Sequence, residues 1–180
     1  MKRHIFFIDG SNLYSYLRDT FGSGKVHIPT LCALLVHDDD EFVEWRYYAA
    51  PVPQGNTPRE ITSYYRQQRF LNYVSRHRKG TLCLGRFQKD ISGFLREKGV
   101  DVMLAIDLVR LAAENGYDVA TVLSGDGDLA PAIDMARGFY GKVVYVALPG
   151  KVDAYHILQA ADGFREITKS IYDKARAALK

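Results

Sequence analysis

The sequence has few cysteines and no long apolar run, and each absence excludes a class of protein. Its two cysteines, Cys32 and Cys83, have no companion at CxxC or CxxH spacing. Both stand among apolar residues, which predicts free, buried thiols in a reducing cytoplasm rather than a disulfide or a zinc site. We therefore expect a cytoplasmic protein.

No stretch approaches the roughly 18 uncharged apolar residues that a membrane-spanning helix needs. The basic N-terminus followed by the apolar residues 5–8 is similar to the start of a signal peptide. Asp9 interrupts that run after four residues, too early for an export signal. The sequence therefore predicts neither a membrane span nor export.

The chain has 180 residues, 47% of them hydrophobic, and shows no repeat, linker or low-complexity segment. These properties predict a single domain over residues 1–180 with a substantial core. Its net charge of +3 is small but unevenly distributed, with eight lysines and arginines between Arg59 and Lys89 against one acid, Glu60. We expect a basic surface beside an acidic pocket.

Hydrophobic periodicity predicts strands that alternate with helices. Strands are predicted over 4–8, 41–50, 81–87, 119–123, 142–148 and 164–167, and helices over 12–20, 30–36, 58–77, 101–115, 129–139, 154–161 and from 168. The polar run 38–40 is predicted to end the second helix. Such alternation predicts an α/β fold with a mostly parallel sheet covered on both faces. Ligands of these sheets bind beyond the carboxyl ends of the strands.

Two acidic turns each follow an apolar strand, Ile8-Asp9-Gly10-Ser11-Asn12 and Leu123-Ser124-Gly125-Asp126-Gly127-Asp128. The fold would hold these carboxylates near one another and away from bulk water, which is unfavourable unless a cation joins them. A carboxylate-bound divalent cation is suited to phosphate chemistry. Simpler interpretations are that Asp9 only caps a helix, and that the second turn is a β-turn with a cap at Asp128.

Two further aspartates, Asp101 and Asp107, belong to one predicted helix. Their separation of six residues corresponds to a rotation of about 600° around the helix axis, so their side chains point roughly 120° apart. The two carboxylates therefore cannot both point directly at one ligand. One could therefore bind a metal while the other acts through water or holds a neighbouring side chain. Alternatively, Asp101 is a helix N-cap and Asp107 a buried acid paired with an arginine or a backbone amide.

Together these motifs resemble the NYN family, a branch of the PIN-like nucleases that includes bacterial proteins of the LabA type. The resemblance covers about residues 4–167. The matching segments are 7–13, 98–107, 123–129, 141–146 and 158–164.

The resemblance implies a three-layer α/β/α sandwich whose acids bind Mg²⁺ or Mn²⁺ and hydrolyse RNA. The implied metal ligands are Asp9, Asp101, Asp126 and Asp128, with Asp107 as an additional catalytic acid and Asn12 and Ser124 as polar groups supporting the ligands. Many PIN-like proteins carry one more acid, often a glutamate, which the sequence does not place. The number of metal ions stays open.

A helix predicted over 58–77 carries a basic face. Its arginines are spaced by 7, 3 and 7 residues, with the aromatic residues 65, 70 and 73 between them. The four are Arg59, Arg66, Arg69 and Arg76. Guanidinium groups that meet phosphates and rings that stack on bases suit single-stranded RNA. The alternative is the solvated face of an ordinary amphipathic helix.

Two other functions compete with a nuclease. The segment 125–128 is similar to the acidic fourth motif of haloacid-dehalogenase-like phosphatases, but Ser11 stands where that family needs a second aspartate after Asp9. The other competitor is a non-catalytic RNA-binding or regulatory module of the same fold. Whether the protein forms a homo-oligomer or has a regulatory protein partner stays open.

Overall fold

The computed structural model, which describes residues 1–37, 39–150 and 154–179, is built on a parallel sheet. The strands are β1 (Lys2–Asp9), β2 (Asp40–Ala49), β3 (Gly80–Leu84), β4 (Arg86–Lys89), β5 (Leu95–Lys98), β6 (Val119–Leu123), β7 (Val143–Leu148) and β8 (Gly163–Glu166). The helices are α1 (Gly10–Phe21), α2 (Ile28–Leu35), α3 (Pro58–Arg76), α4 (Val100–Ala113), α5 (Ala130–Gly138), α6 (Tyr155–Ala160) and α7 (Lys169–Ala177), with a 3₁₀ turn at Gly127–Leu129.

The main sheet has the strand order β3-β2-β1-β6-β7-β8, and all neighbouring strands in it are parallel. The strands after β1 are added first on one side of it and then, from β6 onward, on the other. A topological switch point therefore lies between the carboxyl ends of β1 and β6, the usual ligand position in such sheets.

Alternate residues of β1 pack into two cores, one on each face of the sheet. Ile5 and Phe7 join a core with buried residues of α4, α5 and α6, whereas Phe6 and Ile8 join a core with buried residues of α1, α2 and α7. This two-residue period buries the strand on both sides, as a covered parallel sheet requires. The predicted α/β/α sandwich is confirmed.

Local signals set several helix ends. Thr57 forms a capping box with Glu60, whose backbone N–H donates to the threonine hydroxyl while its carboxylate accepts from the backbone of Thr57. The start of α4 differs from the prediction, because its N-cap is Gly99, with φ of 83°, and Asp101 lies inside the first turn. In the run predicted to end α2, Asp38 lies outside the described residues.

The strand predicted over 81–87 is wrong beyond Leu84. There the chain leaves the sheet and forms an antiparallel hairpin, in which Arg86 of β4 pairs with Lys98 of β5. Asp90 closes its turn, because one carboxylate oxygen accepts from the backbone of Ser92 and of Phe94, at 2.9 Å each. The hairpin escaped prediction because its four-residue strands are largely exposed and lack an apolar alternation.

Both cysteines are free, as predicted. Cys32 is buried and Cys83 is half-buried. Among the helices of the described residues, none is both long and apolar enough to cross a membrane.

Candidate metal centre and adjoining groove

Asp9 ends β1 and is 3% exposed. Its Oδ1 caps α1, accepting hydrogen bonds from the backbone N–H of Asn12 at 3.0 Å and the hydroxyl of Ser11 at 3.1 Å. Its Oδ2 accepts from the hydroxyl of Ser124 at 3.2 Å. Burial raises the pKa of Asp9, and the nearby Glu97 carboxylate also raises it, while these hydrogen bonds oppose the shift. Helix capping therefore accounts for the contacts of Oδ1 but not for those of Oδ2.

The second acidic turn is joined to the first through side chains. The amide oxygen of Asn12 accepts from the backbone N–H of Gly125 at 3.0 Å, and the Ser124 hydroxyl accepts from that of Asp126 at 3.2 Å. Asp126 in turn caps the 3₁₀ turn, since its Oδ1 accepts from the N–H of Asp128 at 2.9 Å. Asn12 and Ser124 thus hold the ends of β1 and β6 in one arrangement.

Asp101 faces the same edge of the sheet from the first turn of α4. Its pKa is raised by partial burial and then by repulsion from the carboxylates of Asp9, Asp126 and Asp128. We call these four residues the aspartate set. Across the described residues, none of the four forms a salt bridge with a basic side chain. No basic side chain of the described residues therefore offsets the repulsion that Asp101 meets from the other three.

The chemistry of this set fits a hard divalent cation, because all its donors are carboxylate oxygens. In their present positions, however, no three histidine, cysteine or acidic side chains of the described part of the chain could hold a metal ion. Mg²⁺ usually keeps several waters and binds through only one or two carboxylates. The arrangement therefore suits a largely hydrated cation better than a closed protein cage.

Asp107 is engaged elsewhere. One carboxylate oxygen accepts from the Tyr48 hydroxyl at 2.9 Å and pairs with Arg46 at 3.2 Å, while the other pairs with Arg110 at 3.1 Å. It is also absent from the carboxylates that raise the pKa of Asp101. These contacts correspond to the alternative of an arginine-paired acid and do not support Asp107 as a site acid.

Glu97, which the sequence did not single out, lies near Asp9. It belongs to β5, its Oε1 accepts from the backbone N–H of Ala50 at 2.8 Å, and its charge raises the pKa of Asp9 and of Tyr47. The sequence pattern gave no reason to select this glutamate, because it stands alone in a basic, largely exposed segment of four residues. It could be placed only once the hairpin was known.

A groove of about 740 Å³ lies next to Asp9, although none of the four aspartates lines it. Gly10 and Ser11 line it next to Asp9, Arg66 and Arg69 line it from α3, and Glu97 lines it from the hairpin. All four predicted arginines of α3 are exposed, but the lining does not include Arg59 or Arg76. The basic face of the helix thus divides into a groove-lining pair and an outlying pair.

A three-layer sandwich with acids at the switch point of a parallel sheet is the architecture of a PIN-like domain. The chain belongs to the NYN domain family, whose model matches residues 3–168. This membership indicates the PIN-like nuclease superfamily, in which NYN domains generally bind RNA and NYN nucleases generally depend on divalent metal ions.

A solved structure with the same fold is a protein of unknown function, VPA0982 from Vibrio parahaemolyticus RIMD 2210633. It has a TM-score of 0.70 and 20% sequence identity, covering 93% of this chain and 94% of that one. An isopentenyl phosphate kinase in complex with substrate has a TM-score of 0.42 and 10% identity over 87% of this chain and 93% of that one, too weak to indicate a shared fold. No curated protein matches the chain.

Proposed function

We propose that this protein is a metal-dependent ribonuclease that hydrolyses phosphodiester bonds of single-stranded RNA. The observation that carries the proposal is the joining of the two acidic turns at the switch point of the sheet, where Ser124 bonds Asp9 and the N–H of Asp126, and Asn12 bonds Gly125. Asp101 faces these turns, and none of the four aspartates has a basic partner among the described residues, which is typical of functional sites.

The aspartate set would hold Mg²⁺ or Mn²⁺ together with water. When bound, such a cation supplies an activated water and neutralises charge on the phosphate. The protein's own contribution is positional. Asp9 is fixed by its cap to α1, and Asp126 by its cap to the 3₁₀ turn. Asn12 and Ser124 hold the two turns together through hydrogen bonds.

The groove supports RNA as the substrate. A set of carboxylates repels a polyanion, so a nuclease needs cations near its acids to retain the strand. Arg66 and Arg69 supply them within the groove that begins at Gly10 and Ser11. A strand bound there would have its phosphates on α3 and its scissile bond near the aspartate set.

The decisive experiment is cleavage of single-stranded RNA in Mn²⁺ by the purified wild type and by Asp126→Asn. We expect Asp126→Asn to lose at least about 100-fold in rate, because even groups that only support metal ligands contribute 10–100-fold. Asp134→Asn, which changes an exposed aspartate on α5, is the matched control and should retain wild-type activity. Equal residual activity in the wild type and Asp126→Asn would indicate contamination and reject the proposal.

A second candidate is a non-catalytic RNA-binding module. It is favoured by the finding that no three acids of the described residues stand within reach of one shared ion. This alternative predicts RNA binding that EDTA does not change and no detectable Mn²⁺ binding by calorimetry. The ribonuclease predicts Mn²⁺ binding that Asp101→Asn weakens.

A further inference from the structure

The hairpin of β4 and β5 ends in a tip of exposed apolar side chains. Ile91 is 108% exposed and Phe94 70%, and Leu95 beside them is also exposed. We call these three residues the hairpin tip. Exposed apolar residues grouped in this way mark an interaction site more often than chance exposure does.

The strands that carry the hairpin tip are basic. Arg86, Lys89 and Lys98 are exposed, and none of them forms a salt bridge within the described part of the chain. Of the two acids in the hairpin, Asp90 is paired with Arg96 at 2.8 Å, and Glu97 is bonded to the backbone of Ala50. The outer surface of the hairpin is therefore an apolar tip on a cationic stem.

The hairpin adjoins the groove. Phe87 of β4 and Glu97 of β5 line the same groove as Arg66 and Arg69. The bond from Ala50 to Glu97, and a second from the N–H of Gly85 to the carbonyl of Ala49 at 3.0 Å, attach its base to the end of β2. Four extended residues span about 13 Å, so the tip stands about that far from this base.

We propose that the hairpin tip binds unpaired bases of the RNA strand that occupies the groove. Phe94 offers its ring face for stacking, Ile91 adds apolar contact, and Arg86, Lys89 and Lys98 meet the phosphates. Only unpaired bases expose a face to such a ring, so the site selects single-stranded over duplex RNA. The inference rests on the proposed function. A polyanion is favoured over a protein because the unpaired cations Arg86, Lys89 and Lys98 line the stem between the groove and the tip.

The test is the affinity for a fluorescein-labelled oligouridylate, measured by anisotropy in EDTA so that no cleavage occurs. Phe94→Ala should weaken binding by about tenfold, since loss of one stacked base typically corresponds to a change of that order. Phe94→Tyr, which keeps the ring, should bind like the wild type. Phe139→Ala, which removes an 83% exposed ring at the end of α5, is the matched control and should also bind like the wild type.

The outcomes separate the two proposals. Unchanged affinity of Phe94→Ala, beside Mn²⁺-dependent cleavage by the wild type, overturns the role of the hairpin tip and leaves the ribonuclease standing. Weaker binding by Phe94→Ala, with no cleavage by the wild type, supports the tip and rejects the ribonuclease. If Phe94→Ala binds RNA normally but abolishes a dimer seen by light scattering, the tip is a protein interface and the inference is wrong.

Discussion

The hydroxyl of Ser124 donates a hydrogen bond to Oδ2 of Asp9, 3.2 Å away and 115 residues distant along the chain. Both side chains are buried; Asp9 ends β1 and Ser124 follows β6, at the switch point of the sheet. Ser124 also accepts from the backbone of Asp126. One hydroxyl thus joins two of the four members of the aspartate set.

Replacing Ser124 with alanine should lower the free energy of unfolding by about 1–3 kcal/mol, because the buried carboxylate of Asp9 and the partly buried N–H of Asp126 each lose a hydrogen-bond partner. Mn²⁺ affinity should fall with it. Ser75→Ala is the control, since this exposed hydroxyl bonds only a carbonyl of its own helix, and it should change stability by less than about 0.5 kcal/mol. Urea denaturation measures both, and equal losses would contradict the role of Ser124.

Asp107 and Asp101 should respond in opposite ways to loss of charge. Asp107→Asn leaves the largely buried Arg46 short of an acceptor and should cost about 1–3 kcal/mol of stability, with RNA cleavage retained. Asp101→Asn removes repulsion, so it should keep or raise stability and abolish cleavage. Denaturation and cleavage assays on both variants decide the point. If a folded Asp107→Asn variant lost cleavage, Asp107 would be an acid of the active site after all.

Reversing the charge of the groove-lining arginines should weaken RNA binding. In the double variant Arg66→Glu, Arg69→Glu we expect lower affinity for single-stranded RNA and a plot of log affinity against log salt flatter by about 1.4, since each lost phosphate contact contributes about 0.7. The double variant Arg59→Glu, Arg76→Glu carries the same net charge outside the groove. Equal effects of the two pairs would show that bulk charge, rather than the groove, binds RNA.

Gly10 is required by its surroundings. A Cβ at this position would lie 2.5 Å from the ring of Tyr47, so Gly10→Ala should cost about 1–3 kcal/mol through overpacking. At Gly138 a Cβ meets nothing within 4 Å, and Gly138→Ala in α5 should be neutral or stabilising by up to about 1 kcal/mol. Thermal unfolding of both variants is the measurement. A stable Gly10→Ala would mean that Tyr47 moves freely.

His4 should make stability depend on pH. Burial lowers its pKa from 6.5 to about 4, although Asp40, 3.3 Å away, opposes the shift. Below pH 6.5 the unfolded chain therefore binds a proton that the folded protein does not. Stability is complete above that pH and falls as the pH drops toward 4.

Between pH 8 and pH 5 this loss should amount to about 2 kcal/mol. Urea denaturation of the wild type and of His4→Gln at both pH values tests it. The variant should be less stable at pH 8, because the bond of His4 to Thr121 is altered, but it should lack this part of the pH dependence. Equal pH dependence in the two proteins would contradict a neutral His4.

Much of the architecture could be predicted because it follows from local rules. Val119–Leu123 is buried throughout, and its apolar run predicted the strand with the same limits. The start of α3 was predicted from Thr57 and Glu60, whose side chains each accept a hydrogen bond from the other's backbone, and from Pro58 in the first turn. The hairpin could not be predicted in this way, because its strands are short and exposed. Its turn depends on hydrogen bonds to Asp90, which leave no periodic pattern in the sequence.

The sequence by itself determined the alternation of strands and helices and the position of acidic turns at strand ends. Both follow from the spacing of apolar residues and from helix capping, which depend on residues only a few positions apart. Only the tertiary structure decided which acids meet. It places Asp101 near Asp9, pairs Asp107 with arginines, and places Glu97 of the hairpin near Asp9. Such selection depends on contacts between distant segments, whose geometry exists only once the sheet and its helices have packed.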